Sequence, residues 1–206
     1  FVRRFDRKIK IDLPNKKERI QFLHYYLKKH SINTISDECI NNIASRTVYY
    51  SPADLELLVE HALRNCNGNK LTDEILSDTV DEKKHGKSNI LDLEEIKRTA
   101  IHESGHALVC YLCGIVPAYL TIISRGGYGG YMAYGENNNI NTYTKQDLLD
   151  RIAISLAGRA AEIIEYGDKL GVTTGPSSDL FNATNIAKSI IAEYGMNDSL
   201  VSLKAL

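Results

Sequence analysis

The sequence His102-Glu103-Ser104-Gly105-His106 lies inside a stretch that reads as one unbroken helix, from about Asp92 to Cys113. This placement constrains the chain more than any other feature. Residues four apart project from the same helical face, so both imidazoles can hold one zinc ion at about 2.0–2.1 Å. Glu103, next in sequence to His102, is turned away from ligation yet near enough to reach a metal-bound water, the position of a general base. Zinc lowers the pKa of such a water toward ~7, and a carboxylate that takes its proton leaves a nucleophile for a polarised peptide carbonyl. The plain alternative is a chance match on an amphipathic helix. Against it, Gly105 and Ala107 are poor choices for an exposed helix and good ones where another backbone packs closely.

A catalytic zinc needs a third protein ligand and an open fourth position. Spacing alone leaves Asp179 and Glu162 as candidates. Asp179 stands at a loop-to-helix junction, where it could equally be a helix cap. Glu162, on a long helix, could equally be a solvated charge or a hydrogen-bond partner for an imidazole. His24, His30, His61 and His85 all fall in the first half and read as surface or core residues of a helical unit.

Apolar patterning divides the chain in two. The first part reads as a short extended start (Ile9 to Leu13) followed by a compact four-helix unit. Its helices include Lys16 to His30, a helix capped by Ser51 with Pro52 at its first position and ended by Asn67-Gly68, and about Thr72 to Lys83. The polar stretch from Asp81 to Asn89 marks a boundary, giving domains 1–87 and 88–206. The second part continues with strands Tyr119 to Ser124 and Tyr128 to Tyr134 joined through Gly126-Gly127, a helix from Thr144 to Tyr166, and a helix from Asp179 to Tyr194. The fold class expected is mainly α with a small β-sheet.

Lys and Arg number 25 against 26 Asp and Glu. That balance argues against a nucleic-acid partner, which usually requires a clustered basic face. The segment from Ala107 to Ser124 is uncharged and about the minimum length of a membrane span. Pro117 and the β-branched run Thr121-Ile122-Ile123 make it a buried helix followed by a strand instead. Cys39, Cys66, Cys110 and Cys113 read as reduced, and the Cys110/Cys113 pair, with no second CxxC or nearby His, as core packing.

Six segments in order and approximate register resemble the FtsH-type AAA+ zinc metalloproteases. HESGHA, LAGRAAEIIEYG, TTGPSSDLFNAT and AEYGMND are similar to the protease-domain signatures. RRFDRKIKIDLP and SPADLELLVEHAL are similar to the end of the AAA+ large subdomain and its helical lid.

The resemblance implies an AAA+ lid over 1–87 and an α-helical zinc peptidase over 88–206, truncated at its C-terminus. It implies one Zn2+ per chain, held by His102, His106 and Asp179, the last matching the family's aspartate ligand, with Glu103 catalytic. It also implies that unfolded polypeptide substrate adds as a strand beside Gly127, Tyr128, Gly129, Gly130 and Tyr131. Arg4 falls where the family has a nucleotide-sensing arginine finger, while Phe1 stands where a companion arginine is found. Proline at Pro52 and Pro176 departs from the family's usual residues without removing a ligand.

No GxxxxGK[ST] loop is present, so ATP and Mg2+ belong to a full-length parent, of which this chain is a fragment. That parent would be a homohexamer, membrane-anchored through a segment before Phe1, in a bacterial inner membrane or a mitochondrial or plastid membrane. Two rivals stand beside this reading. A noncatalytic oligomerisation module is opposed by the intact HExxH, and a free-standing zinc hydrolase by the lid-like first half.

Overall fold

A computed structural model describes residues 11–127, 129–134 and 142–196. Arg4 and Tyr128 lie outside the described residues. Seven helices and two strands follow in the order α1 (Lys16–Lys29), α2 (Asp37–Arg46), α3 (Pro52–Asn65), α4 (Asp73–His85), α5 (Leu93–Leu112), β1 (Pro117–Thr121), β2 (Tyr131–Tyr134), α6 (Lys145–Gly171) and α7 (Ser177–Ala192). The protein is mainly α with a small antiparallel sheet, as its sequence predicts. Two compact units divide between Lys83 and Lys84.

In the first unit the apolar stripes of four helices converge on one core that includes Leu23, Ile43, Leu55, Leu58, Leu76 and Val80, all fully buried. Each such side chain contributes about 1.5–3 kcal/mol of burial. Reciprocal capping boxes set two of the helix starts: Asn15 with Glu18 for α1, and Ser51 with Asp54 for α3, where Pro52 occupies the first turn. Of the extended start, residues 11–13 are described and join no strand.

The second unit is organised by the packing of α5 against α6. Asp92 caps α5 by accepting from the Glu95 amide, and Thr144 caps α6 in a reciprocal box with Asp147. Small residues bring the two helices close. A Cβ on Gly105 would stand 2.6 Å from the Ala157 carbonyl oxygen and 2.7 Å from the Ala161 Cβ, so only glycine allows this approach. Helix α6 runs beyond the predicted end at Tyr166 but breaks at Gly167, whose φ of 73° is left-handed. After the break the chain folds back, and a Cβ on Gly171 would meet the Glu162 carbonyl oxygen at 2.6 Å.

Both strands are shorter than predicted. The ladder pairs Leu120 with Met132 and Thr121 with Tyr131, and includes an irregularity between Pro117 and Tyr119. It stops there for two reasons: the Ile123 amide turns back onto Thr121 Oγ1, and Gly129 and Gly130 pack against Thr99 of α5 instead of extending β2. The 107–124 stretch is the end of α5 followed by β1, and no helix among the described residues is long and apolar enough to cross a membrane. Cys110 is buried, with its thiol donating to the Ile115 carbonyl, and the four cysteines are free.

Candidate metal centre

Arg98, His102, His106 and Cys110 recur every four residues along one face of α5. Opposite them α6 presents Ile154, Ala157, Gly158, Ala161 and Glu162. The glycine leaves room for the imidazoles: a Cβ at Gly158 would lie 2.5 Å from His102 Nε2 and 2.6 Å from His106 Nε2. The first turn of α7 then brings in Asp179.

The three side chains meet through single atoms. His102 Nε2 and His106 Nε2 are 3.0 Å apart, and Asp179 Oδ2 is 3.1 Å from the first and 3.4 Å from the second. A tetrahedral ion with bonds of about 2.0–2.1 Å requires donor atoms about 3.3–3.4 Å apart, so a zinc ion fits with small adjustment. Among the described residues this is the one cluster of His, Cys, Asp or Glu whose donor atoms converge in this way. The N-cap position of α7 is Pro176, so Asp179 sits within the first turn rather than at the cap, and its carboxylate faces the imidazoles.

The other ring nitrogens are committed elsewhere, which fixes the tautomers. His102 Nδ1 donates to Glu162 Oε1 at 2.8 Å, and His106 Nδ1 to the Ile154 carbonyl oxygen at 2.6 Å. With Nδ1 holding the ring proton, each Nε2 would present its lone pair to an ion bound at the shared point. Glu162 is neither a member of the donor cluster nor a solvated charge. It is buried behind His102, with its second oxygen accepting from Arg98 Nη1 at 2.8 Å.

Electrostatics agree with the geometry. Burial opposes the charge of Asp179, but hydrogen bonds from His102 and His106 hold its carboxyl well below the usual range. Burial also disfavours a charged His102, yet its bonds to Asp179 and Glu162 raise it above the ordinary imidazole value. Glu103 is pushed up by burial against the pull of His106 and His102, as suits a proton-transfer group.

Of the predicted substrate residues, Gly127 lies in a turn, Gly129 and Gly130 precede β2, and Tyr131 begins it. A Cβ on Gly130 would be 2.5 Å from the Thr121 carbonyl oxygen and 3.1 Å from Glu103 Cγ. The backbone entering β2 therefore passes directly beside Glu103. β1 pairs with one side of β2, and no strand pairs with the other among the described residues. Arg98 lies in none of the six motif segments, and Gly158 lies in the LAGRAAEIIEYG segment without standing out there. Their signal is helical spacing, Arg98 one turn before His102 and Gly158 one turn before Glu162.

Comparison with known proteins identifies one family over the second unit. Peptidase family M41 matches residues 89–205. The chain is 35% identical over 96% of its length to the ATP-dependent zinc metalloprotease FtsH 3 of Sphaerobacter thermophilus, covering 41% of that protein. It is 36% identical over 96% of its length to the ATP-dependent zinc metalloprotease FtsH of Malacoplasma penetrans, covering 25%, and 37% identical over 94% to that of Mycoplasma genitalium, covering 28%. The chain thus spans from a quarter to two fifths of these relatives.

Proposed function

This chain belongs to peptidase family M41, and we propose that its second unit is a zinc endopeptidase that cuts unfolded polypeptide. The convergence of His102 Nε2, His106 Nε2 and Asp179 Oδ2 on one point carries the reading. When bound, zinc supplies a Lewis acid that polarises the scissile carbonyl and acidifies water. Glu103 accepts the proton of the attacking water and delivers it to the departing amine nitrogen as the C–N bond breaks. Glu162 and the Ile154 carbonyl keep the two imidazoles in the ligating tautomer. The side of β2 away from β1 offers backbone groups to an extended substrate with little demand on its sequence, and the chain entering β2 at Gly130 passes Glu103.

The first unit is the helical lid of an AAA+ ATPase, and the parent protein uses ATP and Mg2+ to drive unfolded or membrane proteins to the peptidase. The motif resemblance supports this assignment, and the relatives' names support the dependence on ATP. A homohexamer anchored in a membrane is the corresponding assembly. Exposed apolar side chains around the end of α5, Leu108, Tyr111, Leu112 and Val116, are consistent with burial against neighbouring subunits.

Hydrolysis of an unfolded casein by the zinc-loaded chain is expected to stop on adding a chelator and to return with zinc. Acidification should weaken zinc binding with a definite sign. A raised His102 value means that a proton competes with the ion to a higher pH than at an ordinary imidazole, so affinity rises with pH until the ring is deprotonated and levels off beyond that point. Chelator competition between about pH 6 and 8 measures this. Constant affinity across the range, or hydrolysis indifferent to the chelator, contradicts the reading.

A further inference from the structure

Behind the metal face stands Arg98, one turn before His102 on α5. Its Nη1 donates to Glu162 Oε2 at 2.8 Å and to the Leu170 carbonyl oxygen at 3.1 Å. Its guanidinium carbon lies 4.2 Å from the centroid of the Tyr166 ring. The carboxylate it holds is 3% exposed and touches His102 through its other oxygen.

We propose that Arg98 is a positioning residue for the zinc site, acting on His102 through Glu162; this rests on the reading of His102 as a zinc ligand. A glutamate carboxylate turns readily about its terminal torsion, and the His102 bond restrains one oxygen only. Thr173 Oγ1, at 3.5 Å from the other, is too distant to hold it firmly. Arg98 supplies the charge-assisted bond that stops the rotation.

The same nitrogen reaches Leu170, beyond the break at Gly167, so it joins the two parts of α6. The folded-back segment rests on the backbone of Glu162 and Ile163 at Gly171, and Arg159 Nη2 ties it further through the Thr173 carbonyl at 2.6 Å. Glu162 is thus enclosed on one side by His102 and on the other by Arg98 and the chain that Arg98 holds. Stacking on Tyr166 limits the guanidinium's own rotamers.

The test is zinc affinity by chelator competition on the full chain, with the visible spectrum of the Co2+-substituted protein as a readout of ligand geometry. Arg98→Met is expected to weaken zinc binding by about 10-fold, the lower end of the range for groups behind a ligand, and to alter the Co2+ spectrum. Arg98→Lys recovers part of the loss. Lys97→Met removes an adjacent cation that pairs with exposed Glu165 at 3.5 Å, and should change affinity by less than about twofold.

In a Glu162→Gln background Arg98→Met should add little further loss, because the two residues act in series. Full additivity of the two losses, an unaffected Arg98→Met protein, or an equal loss in Lys97→Met overturns the proposal while leaving the zinc site in place. If the methionine variant does not fold, the lysine variant carries the comparison, and wild-type affinity and spectrum in Arg98→Lys overturn it likewise. A folded wild-type protein that binds no zinc overturns the metal reading and this proposal with it.

Discussion

Replacing Glu103 by glutamine is expected to lower kcat/KM on an unfolded protein by about 10²–10⁴-fold, the range of general acid–base catalysis, with zinc still bound. The side chain is only 6% exposed, and glutamine matches it in volume, so no cavity opens. Removing a buried charge relieves a desolvation cost instead of creating one. Glu103 is not among the three side chains whose donor atoms converge, so the ion keeps its ligands while the proton carrier is lost. Zinc content and kcat/KM measured on the same preparation separate the two effects. Hydrolysis at the wild-type rate would remove Glu103 from the chemistry, and loss of zinc would make it a structural member of the site.

Replacing Gly158 by alanine is expected to cost the zinc site outright, with affinity falling on the order of 100-fold or more, beyond the span typical of groups behind a ligand. The added methyl would meet His102 Nε2 at 2.5 Å and His106 Nε2 at 2.6 Å, about 1 Å inside ordinary contact distance. Both imidazoles would have to move, and a metal site tolerates displacements of only about 0.5 Å. Relief by shifting α6 is blocked at the neighbouring contact, where Gly105 already sits against the Ala157 backbone. Helix propensity acts in the other direction, since alanine favours a helix interior over glycine by about 1 kcal/mol. The variant should therefore keep its helical circular dichroism while losing zinc and activity together, and near-wild-type zinc affinity would show that α5 and α6 are not held at this separation.

What could be read before the structure depended on whether the signal was local. Caps at Ser51 and Asp92 are local, and the helices begin where those residues place them. Strand ends were less legible because tertiary packing decides them: Gly129 faces Thr99, and Gly130 is wedged between Thr99 and the Thr121 carbonyl. The long helix ran past Tyr166 for a related reason, since Gly167 reads as a stop yet the chain resumes helical turns beyond it.

The site divides in the same way. His102 and His106 were legible because one helix carries both, whereas Asp179 is 77 residues from His102 along the chain. A carboxylate in a first helical turn looks the same from sequence whether it caps or ligates; the resemblance to a family decided between them, and the packing of α7 places its oxygen against both imidazoles. Gly158 and Arg98 became meaningful only once α5 and α6 were known to face each other.

The central claim is that three side chains of this one chain form a zinc site, and zinc counted per chain by elemental analysis tests it most directly. Wild-type protein and Asp179→Ala should be loaded with zinc, freed of excess and compared at equal concentration, with circular dichroism to establish that each is folded. The arrangement predicts close to one zinc per wild-type chain and close to none in Asp179→Ala, because two histidines alone leave the ion half coordinated. A folded wild-type chain without zinc, or an Asp179→Ala chain that retains it in full, would contradict the account.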